Sequence, residues 1–277
     1  MKNRQSKRET GVNESTKISV NTREMFGLAF FGSNLNKLLN ELSQRIGAKE
    51  RNTWITTVNP EFIMAMRKDE KFADIINESD IKVIDGIGLI WAYNVIKTRK
   101  GIERWLEALT TGIEILKGKE RDELISGSDL MAEICKKKIN NKVYFLGGWG
   151  NRAERTAKYF KSRNEKIETR FSSGEPEVDN EKVVNEINKF MPDYLFVAYG
   201  MKRQEEWIRA NLGRIKVGVV MGVGRSFDYY SGDLKRAPIW MRKMGLEWLY
   251  SLIKEPKRWK RQLVLPKFIW MVLTKIA

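Results

Sequence analysis

Asp85 ends the apolar run Lys82-Val-Ile84 and opens onto Gly86-Ile-Gly88, so a carboxylate stands where a buried strand meets a glycine-rich turn. A carboxylate so placed can remove a proton from a sugar hydroxyl while that oxygen attacks an anomeric carbon. The alternative is an aspartate that serves only a turn or a helix cap. Thr57 and Asn59 leave the preceding run, Trp54-Ile-Thr-Thr-Val58, in the same direction and offer a hydroxyl and an amide to a sugar or phosphate. Asn59 also precedes Pro60, the arrangement of an N-cap before a helix. Two glycine turns could supply backbone N–H groups to a diphosphate at a helix start. Gly147-Gly148-Trp-Gly150 follows Val143-Tyr-Phe-Leu146 and precedes a helical stretch at 152–162, and Gly222-Val-Gly224 follows the run 217–221 and leads into Arg225-Ser-Phe-Asp228. In open α/β sheets ligands bind at the carboxyl ends of the strands, so two such turns point to one nucleotide pocket, with two ordinary tight loops as the alternative. Gln204, in Gly200-Met-Lys-Arg-Gln-Glu-Glu-Trp207, reads by itself as the solvated start of a helix.

The elements that must hold these groups follow from periodicity. Short apolar runs at 54–58, 82–84, 143–146, 194–198 and 217–221 alternate with helical spacing, which is how parallel strands covered on both faces read. The expectation is a layered, Rossmann-like α/β fold, its mostly parallel sheet flanked by helices. Helices are predicted from Pro60 to Met66 and over 127–138, 244–254 and 267–276. The stretch 97–122, with Ile102, Trp105, Leu106, Leu109, Ile113 and Leu116 at helical spacing, reads as an amphipathic insertion that packs on the core, with an interface or membrane contact as the alternative. Three parts are expected: a mobile segment at 1–19, a catalytic core at 20–234, and a helical appendage at 235–277.

Composition narrows the chemistry. The 277 residues include no histidine, so acid–base work falls to Asp, Glu, Lys or Tyr, and a His-based triad or zinc site is excluded. The single cysteine, Cys135, cannot form an internal disulfide, and the basic start lacks the apolar stretch of a secretory signal. A cytoplasmic protein is the expectation. The formal charge of +16 favours polyanionic partners, and a net +9 lies in the last 43 residues together with Trp240, Trp248, Trp259 and Trp270. The longest apolar run there, Phe268 to Leu273, is six residues, far short of the ~20 that a membrane span needs. That tail is expected to lie on a bilayer without crossing it.

Read in order, the pieces resemble the WecG/TagA/CpsF glycosyltransferases. The likeness is carried by Thr57-Val-Asn59, Asp85-Gly-Ile-Gly88, Gly127-Ser-Asp-Leu130, Phe145-Leu-Gly-Gly148, Gln204-Glu-Glu-Trp-Ile208, Gly222-Val-Gly224, Phe227-Asp228, Arg236-Ala-Pro238, Glu247-Trp-Leu-Tyr250, Glu255-Pro256, Arg258 and Arg261. It implies an inverting, metal-independent transfer of an N-acetylmannosamine-type sugar from UDP to a polyprenyl-diphosphate-linked amino sugar, in cell-wall or exopolysaccharide synthesis, on the inner face of the cell membrane. No cofactor is implied. By that resemblance Asp85 is the general base, Thr57, Asn59 and Gln204 line the pocket, and Arg258 and Arg261 stabilise the departing UDP. Gly147, Gly148, Gly222, Gly224, Asp228 and Arg236 join the substrate-binding set.

Three motifs depart from the family pattern: Leu124 stands where an arginine is usual, with Arg121 nearby as a substitute, Lys202-Arg203 replaces Pro-Lys, and Ser251 replaces an arginine, with Lys254 one turn later as a partial substitute. Two other functional readings stay open. One is a non-catalytic protein that binds nucleic acid or anionic lipid through the basic, tryptophan-rich tail. The other is a soluble nucleotide-sugar enzyme whose tail is a packed helical cap. The preferred reading expects no nucleic acid, and allows a homo-oligomer.

Overall fold

The computed structural model describes residues 22–119, 121–173, 181–256 and 259–274. The predicted mobile segment at 1–19 lies outside them. A hairpin of β1 (Thr22–Met25) and β2 (Leu28–Phe31) leads through α1 (Leu35–Gly47) into an alternating series. The series runs β3 (Thr53–Val58), α2 (Pro60–Met66), α3 (Glu70–Asn77), β4 (Ile81–Ile84), α4 (Ile87–Ile96), α5 (Ile102–Leu116), α6 (Gly127–Lys136), β5 (Lys142–Gly147), α7 (Arg152–Lys161), β6 (Glu168–Ser172), α8 (Glu181–Phe190), β7 (Tyr194–Ala198), α9 (Arg203–Asn211) and β8 (Val219–Gly222). Shorter helices follow: α10 (Ser226–Tyr230), α11 (Ile239–Lys243), α12 (Glu247–Lys254), α13 (Trp259–Gln262) and the longer α14 (Val264–Thr274).

Strands β3 to β8 form a six-stranded sheet in the order β4-β3-β8-β7-β5-β6, and every pairing in it is parallel. Both faces are covered, which is why the central strands read as unbroken apolar runs. Alternation decides which face each side chain joins. Val143 and Phe145 of β5, with Tyr194 and Phe196 of β7, enter one cluster with α1, α6 and α7. Tyr144, Leu146, Leu195 and Val197 point the other way, onto α8 and α9.

Parallel pairing also aligns the strand ends. The register matches Val58 with Ile84, Val197 with Gly222, and Gly147 with Ala198. The residues that follow β3, β4, β5, β7 and β8 therefore emerge along one edge of the sheet.

The hairpin and the edge strand β6 were not foreseen. β6 carries Glu168-Thr-Arg-Phe-Ser172, with no apolar run to announce it. The hairpin turns through Phe26 and Gly27, both at positive φ (57° and 75°), with a non-glycine residue where sequence rules expect Gly or Asn. Packing explains that choice, because the Phe26 ring meets Phe268 of α14 at 5.7 Å between centroids.

One run of the tail packs against the core. Phe268, Met271, Val272 and Leu273 are buried in a cluster with the hairpin, α2 and α4, while Ile269 and Trp270 stay exposed. The apolar run expected to lie on a bilayer thus faces mainly inward. The insertion departs in the opposite sense. Helix α5 turns Arg104, Thr111 and Ile115 inward, and the six apolar residues expected to pack are all exposed, from Ile113 at 43% to Ile102 at 72%. No helix among the described residues is long and apolar enough to cross a membrane.

Candidate active site

The edge where the strands end carries a trough of three adjoining lobes. The central lobe, about 240 Å³, is walled by Thr57, Asn59, Asp85, Ser126, Gln204, Arg225, Glu247 and Arg261. A second lobe of about 290 Å³ lies beyond Asp85 and adds Arg121, Arg242 and Trp248. A third, about 400 Å³, lies toward β5, with Gly148, Trp149, Arg152, Tyr199 and Asp228. Asp85 and Glu247 stand between the first two lobes, and Arg225 and Arg261 border all three.

Asp85 continues the sheet before it leaves it, its N–H donating to the Val58 carbonyl at 2.7 Å. Helix α4 is capped by Gly86, so the aspartate does not cap the helix that follows it. Burial pushes its carboxyl up to about 7, and the negative charge of Glu247 adds to that rise. The Gly127 N–H donated to the carboxylate and the charge of Arg236 act in the opposite direction. A carboxylate poised there is a competent base near neutral pH.

Asn59 does both things its position suggested. Its Oδ1 accepts from the Glu61 and Phe62 N–H groups at 2.9 and 3.2 Å, and the residue lines the first two lobes. Thr57 is buried at the wall of the central lobe.

Gln204 is not a solvated helix start: it is 3% exposed. Its Oε1 accepts from the Gly224 N–H at 3.0 Å, and its Nε2 donates to Glu205 Oε1 at 2.7 Å. The glycines divide into two kinds. Gly148 and Gly224 line the trough. Gly147 and Gly222 make room for side chains instead of a ligand. A Cβ on Gly147 would sit 2.7 Å from the Tyr199 ring, and one on Gly222 would sit 2.7 Å from Gln204 Cδ and 2.8 Å from Glu205 Oε1.

Arg236 lines none of these lobes. It forks onto Asp129 at 2.5 and 2.9 Å, reaches Glu247 through Nε at 2.9 Å, and donates to Ser126 Oγ at 3.2 Å. It braces Asp129 and Glu247, the two carboxylates whose charge raises Asp85. Asp228, at the third lobe, joins Arg152 at 2.8 Å and Arg225 at 3.0 Å. Arg225 also donates to Glu255 at 2.6 Å, which ties β8 to the end of α12. Arg261 meets both oxygens of Glu61 at 2.8 Å, locking α13 over α2. Arg258 lies outside the described residues.

Arg225 and Glu247 were not singled out as site residues in the sequence, and Arg121 only as a stand-in for the arginine missing at Leu124. Glu247 had a signal, since it opens the matched Glu-Trp-Leu-Tyr motif. Arg121 borders the second lobe and donates to the Arg242 carbonyl at 2.6 Å, beside the position of Leu124. Lys254 borders none of the three lobes, whereas Ser251 lines the second.

The family model described as the glycosyl transferase WecG/TagA/CpsF family matches residues 23–105 and 108–277. The chain is 29% identical over 254 residues to the N-acetylglucosaminyldiphosphoundecaprenol N-acetyl-beta-D-mannosaminyltransferase of Bacillus subtilis (strain 168), covering 92% of each. It is 30% identical over 222 residues to the protein of the same name from Staphylococcus aureus (strain MW2), covering 80% of each.

Proposed function

The chain belongs to the WecG/TagA/CpsF glycosyltransferase family, and on that premise we propose that it transfers an N-acetylmannosamine-type sugar from UDP to N-acetylglucosamine carried on a polyprenyl diphosphate, in cell-wall or exopolysaccharide synthesis. The acceptor and the sugar follow the names of the relatives. The single observation that carries the reading is the desolvated Asp85 carboxylate at the junction of two lobes, with arginines along the trough.

In the proposed single displacement, the acceptor hydroxyl gives its proton to Asp85 as its oxygen bonds to the anomeric carbon. The bond from that carbon to the β-phosphate oxygen breaks, the configuration inverts, and UDP departs. Negative charge grows on the leaving diphosphate, and Arg225 and Arg261 are the described cations that border every lobe it could occupy. We assign them the charge-stabilising task that a divalent cation performs in other transferases, with Arg258 as a further candidate.

We place the reaction at the inner surface of the membrane. Supporting this are the four exposed tail tryptophans, the net +9 of the last 43 residues, and the exposed apolar face of α5. Lys97, Arg99 and Lys100 precede that helix and Lys117 and Lys119 follow it, as suits a helix lying among anionic headgroups. The experiment offers a panel of UDP sugars with a short polyprenyl-diphosphate N-acetylglucosamine acceptor and scores UDP release and product mass. UDP release with UDP-N-acetylmannosamine, dependent on acceptor, is expected. Release from none of the panel would overturn the reading.

A further inference from the structure

We propose that Glu205 is a positioning residue whose carboxylate fixes the side-chain amide of Gln204, so that Gln204 presents a hydrogen-bond donor to the trough and not an acceptor. The consequence for turnover rests on the sugar-transfer reading above; the orientation of the amide does not.

Glu205 is 2% exposed and its two oxygens are both occupied. Oε1 accepts from Gln204 Nε2 and Oε2 from the Lys202 N–H, each at 2.7 Å. A backbone N–H only donates, so the group facing the Gly224 N–H at 3.0 Å must be the carbonyl end of the Gln204 amide, which turns its NH2 end toward Oε1. Flipping the amide would set an oxygen against Glu205 and an NH2 against the Gly224 N–H, two repulsive contacts in place of two bonds. One N–H of Gln204 is left for the central lobe that it lines. Its partner must be an acceptor oxygen: a sugar hydroxyl or acyl oxygen, or a phosphate oxygen.

The surroundings are built for this carboxylate. Lys202 holds a φ of 76°, an uncommon conformation for a lysine, and in it the backbone N–H reaches Glu205. Lys202 Nζ is engaged elsewhere, on Asp69 at 2.7 Å. Gly222 leaves the space that the Gln204–Glu205 pair fills at the end of β8. Burial raises the Glu205 carboxyl to about 7, against the pull of the N–H groups it accepts from. A side chain wanted only for filling would be better apolar.

The test uses the full chain with Glu205→Gln, Gln204→Glu and the exchange of both. Glu205→Gln sets an NH2 against one of the two N–H donors, and we expect Tm to fall by roughly 5 °C and UDP release to fall at least tenfold at a temperature where the variant is folded. In the exchange, the new amide at 205 accepts from the Lys202 N–H and donates to the new carboxylate at 204, which accepts from the Gly224 N–H. Every scaffold bond returns, so Tm recovers to within about 2 °C of the unaltered chain. UDP release stays low, because the donor to the trough is gone. With glutamine labelled by 15N, the Gln204 carboxamide protons should exchange slowly in the unaltered chain and rapidly in Glu205→Gln. An exchange variant no more stable than Glu205→Gln, or a Glu205→Gln variant with unchanged amide protons and turnover within about twofold, would overturn the proposal. Absence of UDP release in the unaltered chain would sink the transfer reading, while the melting and amide measurements would still decide the role of Glu205.

Discussion

At the scale of single residues, the Asp85 carboxyl is held near neutrality chiefly by burial, and that has two measurable consequences. As the proposed base, it should make turnover rise with pH through about 7, and Asp85→Asn should lower turnover by roughly 10²–10⁴-fold with donor binding largely kept. As a buried charge, it costs stability. Its folded pKa lies above the usual 3.8, so the folded chain holds the proton more tightly than the unfolded chain does. Stability from this group is full at acid pH and is lost as pH rises from about 4 to about 7. Asp85→Asn escapes that loss, and should melt higher than the unaltered chain at pH 8, by a margin of roughly 2–4 kcal/mol that shrinks toward pH 4. Melting curves at both pH values check the sign; a variant less stable at pH 8 than at pH 4, relative to the unaltered chain, contradicts it. Asp85, Thr57 and Asn59 could be found in the sequence because each leaves a buried run at its carboxyl end. Gln204 gave no such local sign, since Gln-Glu-Glu looks solvated until the fold encloses it. Arg225, whose partner Glu255 lies 30 residues away, depends on tertiary contacts that no local pattern encodes.

At the scale of elements, the trough exists because β3, β4, β5, β7 and β8 run the same way and end at one edge. The tail closes over that edge through ion pairs that include Arg225–Glu255, Arg261–Glu61 and Arg236–Asp129. Its last helix, α14, is anchored by Phe268 against Phe26 and the cluster beneath α2 and α4. Phe268→Ala removes a fully buried ring, costing about 3–5 kcal/mol and lowering Tm by roughly 10 °C. Thermal unfolding followed by circular dichroism measures it, and a shift under about 2 °C would show that α14 is only loosely attached. The central strands were legible because burial on both faces makes them continuous apolar runs. β6, at the edge and mostly exposed, carried no such run, and the hairpin depends on a ring supplied from more than two hundred residues away. The inward face of α14 was unreadable for the same reason: Phe268 to Leu273 is apolar enough for either a core or a bilayer, and only the cavity left by the other elements decides.

At the scale of the whole molecule, the outward face of α5 is the largest departure from what a soluble surface needs. Of its three acids, Glu114 is paired with Lys117 at 3.1 Å and with Lys119 at 2.5 Å, and Glu107 accepts from the Thr111 hydroxyl at 2.7 Å. Trp105→Glu with Leu109→Glu should reduce binding to vesicles rich in anionic lipid several-fold while leaving Tm within about 2 °C, because neither side chain fills the core. Vesicle flotation tests this, and undiminished flotation would remove α5 from the contact. A different consequence follows from the pairing of Phe26 with Phe268. The first described hairpin and the last described helix complete one cluster, so the nascent chain cannot finish this part of its interior until synthesis has passed Thr274. Until the ribosome lets that segment go, the hairpin, α2 and α4 lack their cover, and a chaperone would find them the most attractive part of the newborn protein.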